Sequence, residues 1–154
     1  MIDLDQQIQV LINNAPQDGA TPQIVAAIAP ALKSLAQQLK HLQYYIWQTP
    51  DQKWVLTTLS NRTKPQLEKR VVYAFVTPQD ALDSGIGGEP KVQAQPLAVT
   101  HILFQMLAIK PLDSIVFFET VGNWEFGTEV LRSDVDKMVQ VYLEQYQRDR
   151  SNFA

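Results

Sequence analysis

A chain of 154 residues with 45% hydrophobic and 19% charged residues can bury a full hydrophobic core, and it is too apolar to stay disordered over most of its length. Its 13 basic and 16 acidic residues give a net charge of −3, without the overall cationic excess usual in proteins that neutralise phosphates, so no nucleic-acid partner is expected. The absence of cysteine removes disulfides, thiolate ligands and cysteine nucleophiles, and no apolar run approaches the roughly 18 residues that span a bilayer.

Residues 2 to 13 have the pattern of a short amphipathic helix, with Leu4, Ile8, Leu11 and Ile12 on one face. The acidic start, Met1-Ile2-Asp3-Leu4-Asp5, lacks the basic and apolar runs of a signal peptide, so a soluble, cytoplasmic protein is expected. A loop of turn formers follows, Asn13 to Gly19, and Thr21-Pro22 restarts a helix with a cap and a proline at its first position. Val25, Ile28, Leu32, Leu35, Leu39 and Leu42 then form a heptad-like seam, and Pro30 predicts a kink or a break near Ala29. Such a seam packs either on the protein's own sheet or on a second copy.

Tyr44–Trp47 and Trp54–Leu59 have strand composition, and Thr49–Lys53 between them has turn chemistry, which predicts a hairpin. Asn61 to Lys69 is a polar loop, and Arg62, Lys64, Lys69 and Arg70, with Glu68 among them, read as a solvated basic stretch. Val71 to Val76 suits a strand covered on both faces. Thr77 caps the helix that follows, with Pro78 at its first position and Asp80 at its third. Ser84 to Pro90 is a flexible glycine-rich loop and Lys91–Gln95 a short strand. Pro96 opens a helix to about Ile109, which Lys110-Pro111 stops.

Ser114–Phe118 is a buried strand, Val121–Asn123 a turn, and Trp124–Thr128 a strand with one wet face. Ser133 caps a last helix whose positive end suits Asp134 and Asp136. Val135, Met138, Val139, Tyr142 and Tyr146 form its buried stripe, Glu144 and Arg148 are spaced as a surface pair, and the tail beyond Arg148 frays. The expected architecture is a single α+β domain over residues 1–154. A helical segment, 1–42, precedes a sheet-plus-helix core, 43–147, with a mixed sheet of five to six strands.

From Trp54 to Leu143 this order resembles bacterial SseB-like domains. The matching features are a strand entering the Thr77–Ala81 helix start, a strand–helix unit at Val92–Leu107, an apolar strand at Ile115–Phe118, an aromatic strand with Trp124 and Phe126, and the Ser133–Asp136 helix start. Such domains often carry an Asn-Pro-Gly-type turn where this chain has Glu119-Thr120-Val121-Gly122-Asn123, and residues 1–42 are not part of the family core. The resemblance implies an α+β fold without catalysis.

Residues that carry chemistry are sparse. His41 and His101 have no second ligand type at metal spacing, so no metal is expected. The Gly85-Ile86-Gly87-Gly88 loop lacks the spacing of a nucleotide fingerprint, so it reads as a turn and no cofactor is expected. Asp134 and Asp136 cap a helix, and Glu125 points away from Trp124 and Phe126. The aromatics are the best remaining clue, since Tyr and Trp serve both cores and interfaces. The candidate interaction surface is therefore Trp47, Trp54, Trp124 and Phe126 on strands, with Leu32, Leu35 and Leu39 of the seam. The expected function is a non-catalytic module that binds another protein or itself. The alternative is a small-molecule sensor with a pocket between the sheet and the Pro96–Ile109 helix, near the glycine loop. An enzyme with an unrecognised site is the third reading.

Overall fold

The computed structural model describes residues 2–61, 63–64 and 66–152, which contain five helices and six strands. They follow in the order α1 (Leu4–Asn14), α2 (Thr21–Ala36), β1 (Gln43–Gln48), β2 (Thr57–Ser60), β3 (Glu68–Ala74), α3 (Pro78–Ser84), β4 (Gln93–Ala98), α4 (Val99–Met106), β5 (Ser114–Phe118), β6 (Gly127–Leu131) and α5 (Arg132–Asn152). The class is α+β, as the sequence predicts. Arg62 of the basic stretch lies outside the described residues.

Strands β2, β3, β5 and β6 form one sheet in that order, with β3 and β5 parallel at its centre and antiparallel strands at its edges. Strands β1 and β4 form an antiparallel ribbon. The ribbon joins the end of β3 through Tyr45 and Phe75, whose N–H groups donate to each other's carbonyls at 2.7 and 2.9 Å. Tyr44 and Ile46, Val72 and Ala74, and Ile115 and Phe117 point to one side. There they meet Leu11 of α1, Val25, Ile28 and Leu32 of α2, Ile102, Leu103 and Met106 of α4, and Val135 and Val139 of α5. Burying a large apolar side chain in such a core stabilises by about 1.5–3 kcal/mol. The helices of residues 1–42 thus share one core with the sheet.

Several boundaries differ from the sequence reading, each for a local reason. Helix α2 passes Pro30 without a break, because Pro30 and Ala26, whose carbonyl loses its donor, both lie on the exposed side. Thr21 is the first helical residue and not the cap. Ala20 is the N-cap, without a side-chain cap bond, and Asp18 just ahead of it accepts the N–H groups of Ala20 and Thr21 at 2.9 and 2.7 Å and the Thr21 hydroxyl at 2.6 Å. The hairpin forms its turn but opens after one bridge, Gln48–Trp54. The edge of β1 it needs is taken by Phe75, so Thr57–Ser60 pairs with β3 instead. Pro96 lies inside β4 opposite Tyr45, on an edge strand where proline is tolerated, and the next helix waits until Val99.

Strand β6 begins at Gly127 because its partner β5 ends opposite it at Phe118, which leaves Trp124 and Phe126 in the preceding loop. Helix α5 starts straight from β6 at Arg132, ahead of Ser133, and runs to Asn152. The Arg132 N–H donates to Asp113 O and its Nε to Leu112 O, each at 2.9 Å. On the exposed half of α5 Gln145 Nε2 donates to Asp149 Oδ1, one position along from the expected Glu144–Arg148 pair, and Ser151 Oγ donates to Gln147 O.

One buried polar side chain ties the N-terminal helix to the sheet domain. Gln7 is 2% exposed. Its Nε2 donates to Leu42 O at 3.0 Å and Ile2 O at 3.2 Å. Its Oε1 accepts the Thr100 N–H at 3.1 Å and the Thr100 hydroxyl at 2.8 Å, capping the start of α4 across 93 residues of chain. Gln7→Leu keeps the volume but strands both Thr100 donors in the core. Urea denaturation is expected to show a loss of about 2 kcal/mol; an unchanged midpoint would show that α1 is not held by this bond.

Candidate functional site

Alternate residues of the same strands face the other side of the sheet, and they too are apolar. Trp47 and Tyr45 of β1, Tyr73 and Phe75 at β3, and Val116 and Phe118 of β5 form a second cluster. Tyr73 stacks on Phe118 with ring centroids 5.7 Å apart and planes 9° from parallel, and Phe75 lies 5.3 Å from the same ring. Four helices cover the first face. Among the described residues the second face receives one short helix, α3, through Ala81, together with Ile86, Val92 and Val55. Tyr45, Tyr73 and Val116 stay only partly buried.

The loop after α3 comes so close that a Cβ on Gly87 would lie 2.7 Å from three ring atoms of Trp47, so only glycine fits. A cleft of about 520 Å³ opens there between Pro78 and Leu82 of α3, the Gly85–Pro90 loop and Val92. Further along the same face Lys69 pairs with Glu129, which also accepts the Ser114 hydroxyl at 2.7 Å. These bonds, that of Lys69 first and that of Ser114 second, hold the Glu129 carboxyl below the ordinary range.

At the end of the sheet where β3 and β5 finish, α3 and the β5–β6 loop are tied together. Thr77 Oγ1 caps α3 by accepting the Asp80 N–H at 3.1 Å, which bears out the sequence reading, and buried Asp80 Oδ2 accepts the Gly122 N–H at 2.9 Å. The two segments held by this bond expose large apolar side chains: Leu82 at 59%, Val121 at 61%, Trp124 at 42% and Phe126 at 74%. Exposed apolar side chains mark interaction sites where they join into one contiguous patch.

The residues proposed from sequence do not form one surface. Leu32 and Leu39 are buried and Leu35 packs on the same core, so the seam is filled in cis, by α1, α4 and α5, and a dimer cannot use it. Trp54 belongs to that first core and Trp47 to the second cluster, on opposite sides of the sheet; both indole N–H groups are buried without a partner. Of the seven, only Trp124 and Phe126 are exposed, in a loop and not on a strand. Sequence reasoning missed Leu82, Val121 and Tyr73, and placed Tyr45 on a strand without choosing it for the surface. The unbroken apolar run Val71–Val76, read as needing cover on both faces, was the available signal.

The expected pocket divides in two. The glycine loop lines the cleft at Trp47, while the helix end lines a separate cleft of about 530 Å³ with Trp54, Leu56, Gln105 and Ile109. His41 sits in the link to β1, its Nε2 2.7 Å from Glu119 O and its ring edge-on to Tyr44. Tyr44 donates to Glu119 Oε1 at 2.5 Å. Burial first, and this hydrogen bond second, push its hydroxyl well above the ordinary tyrosine range, so Tyr44 serves as a neutral donor. Among the described residues no group of three or more His, Asp or Glu could hold a metal ion, and no helix is long and apolar enough to cross a membrane. No protein-family model, curated protein or solved structure matches this chain.

Gly87→Ala forces the indole of Trp47 to move, and overpacking of this kind costs about 1–3 kcal/mol. A lowered melting temperature with an altered tryptophan emission is expected, and wild-type values for both would contradict the packing. Glu129 also predicts a pH effect. Its folded pKa is depressed, so its stabilisation is present at neutral pH and disappears as pH falls below the ordinary value of 4.5. With the carboxylate 40% exposed the effect is at most about 1 kcal/mol. In urea titrations Glu129→Gln should flatten the fall in stability below pH 4.5; an unchanged slope would rule the pair out as a contributor.

Proposed function

We propose that this protein is a non-catalytic interaction module, acting in the cytoplasm, that docks another protein on the half-covered second face of its sheet and on the Val121–Phe126 loop. The uneven cover of the sheet supports this: strands apolar on both sides are matched by four helices on one side and seven helical residues on the other. Two pairs that could do chemistry hold the fold instead, Tyr44 with Glu119 and Ser114 with Glu129. Kinship with SseB-like domains belongs to the same proposal. It is supported by the Thr77-capped helix after β3 and by the β5–β6–α5 order, while Pro96 in a strand and the absence of a Ser133 cap depart from the expected correspondence.

Small-molecule sensing is the second reading. It is favoured by the cleft beside Trp54, whose apolar wall of Leu56 and Ile109 is edged by Lys53 and Lys110.

To test the docking proposal, p-benzoylphenylalanine replaces Phe126 in the full chain, the cross-linked partner is identified, and its affinity is measured. Trp124→Ser with Phe126→Ser should weaken binding at least tenfold at an unchanged melting temperature, because exposed apolar anchors carry much of the energy of an interface. Equal affinity, or no cross-link above that of a control position on α5, would refute the proposal.

A further inference from the structure

The cleft beside Trp47 has a chemistry of its own. Trp47 stands at its base, Pro78, Leu82 and Val92 form apolar walls, and Glu89 is the sole charged residue that lines it. The surrounding chain is one-sided in charge. Residues 77–90 and 119–131, the two segments joined by Asp80 and Gly122, contain Asp80, Asp83, Glu89, Glu119, Glu125 and Glu129, and no lysine or arginine. Three of these carboxylates are engaged internally: Asp80 with Gly122, Glu119 with Tyr44 and Lys40 N, and Glu129 with Lys69. Asp83, Glu89 and Glu125 are exposed. The cations that flank the two segments are Lys91, which lines a different cleft with Gln48, Gln93 and Gln95, and Arg132, whose Nε donates to Leu112 O.

We propose that this cleft receives an arginine or lysine side chain of the docked protein, its methylene stem against Pro78, Val92 and the edge of Trp47 and its cationic head at Glu89. A long side chain of this kind buries its stem on apolar surface while its charge reaches an acidic rim. The surplus of carboxylates adds long-range attraction and favours a cationic partner. The same surplus argues against a second copy as occupant, because two such faces would set like charges against each other. The proposal rests on the docking reading above and names the chemistry of its partner.

The test uses the full chain, labelled with 15N, and three small probes: the N-acetyl methylamides of arginine, norleucine and glutamate. Arginine is expected to give saturable shifts at Gly85, Gly87, Gly88, Glu89 and the Trp47 indole, with norleucine at least fivefold weaker and glutamate inactive. Glu89→Gln, an exposed change, should weaken the arginine probe at least threefold, and 300 mM salt should weaken it at least twofold relative to 50 mM. Equal binding of norleucine and arginine, shifts elsewhere, or indifference to Glu89→Gln would overturn the proposal. So would shifts that depend on protein concentration without any probe, which would make a second copy the occupant. Failure here with the Phe126 cross-link and its partner intact removes only the cationic anchor, whereas loss of both removes the docking reading as well.

Discussion

The two-sided apolar character of the central strands governs this molecule. Along β1, β3 and β5 neighbouring residues such as Ile46 and Trp47, Ala74 and Phe75, or Phe117 and Phe118 point to opposite sides, and both members of each pair need cover. Strands of this kind lose a common safeguard. A slip of one residue in an amphipathic strand exposes its whole apolar set, but here it would exchange one apolar set for another. Polar pins supply the register instead. Asp113 accepts the Arg70 N–H through its carboxylate at 2.8 Å, donates its own N–H to Arg70 O at 2.8 Å and accepts the Arg132 N–H at 2.9 Å, fixing the ends of β3, β5 and β6 at one point. The Lys69–Glu129–Ser114 group does the same from the second face, and Gly127 admits the side chain of Val116.

The two faces are unequally provided for. Helices α1, α2, α4 and α5 close the first, helped by the Gln7–Thr100 bonds that seat α1 against the start of α4. On the second, α3 and the glycine-rich connection reach over Trp47, Phe75 and Phe118 and leave Tyr45, Tyr73 and Val116 at the margin. Helix α3 and the β5–β6 loop add exposed apolar residues of their own, Leu82, Val121, Trp124 and Phe126. The Asp80–Gly122 bond ties α3 to the β5–β6 loop, and order of this kind would lower the cost of the docking proposed there.

Much of this was legible in the chain itself. The Thr77-Pro78-x-Asp80 start, the apolar strands at Val71 and Ile115, the helical seam and the α+β class all follow from local chemistry, and local chemistry also determines them in the fold. What was not legible depended on partners distant in sequence. Pro96 reads as a helix opener until β1 claims its segment as an edge strand. Trp124 and Phe126 alternate like a strand, but β5 has no residue left to pair with them. The three tryptophans look alike in sequence and occupy a core, the opposite face and a loop. The second face could be inferred as apolar from Val71–Val76, but how little covers it depends on the shortness of α3 and the path of the glycine loop.

The most direct test of this account is solvent paramagnetic relaxation in the free chain at low concentration, with a neutral gadolinium chelate and assigned side-chain resonances. Strong enhancement is predicted for Phe126, Trp124, Leu82 and Val121, intermediate enhancement for Tyr45 and Tyr73, and none for Leu32, Tyr44 or Phe117. Protection of Phe126, Trp124 and Tyr73 at the level of Phe117 would mean that the second face is already closed, and would contradict the claim that it is the binding face.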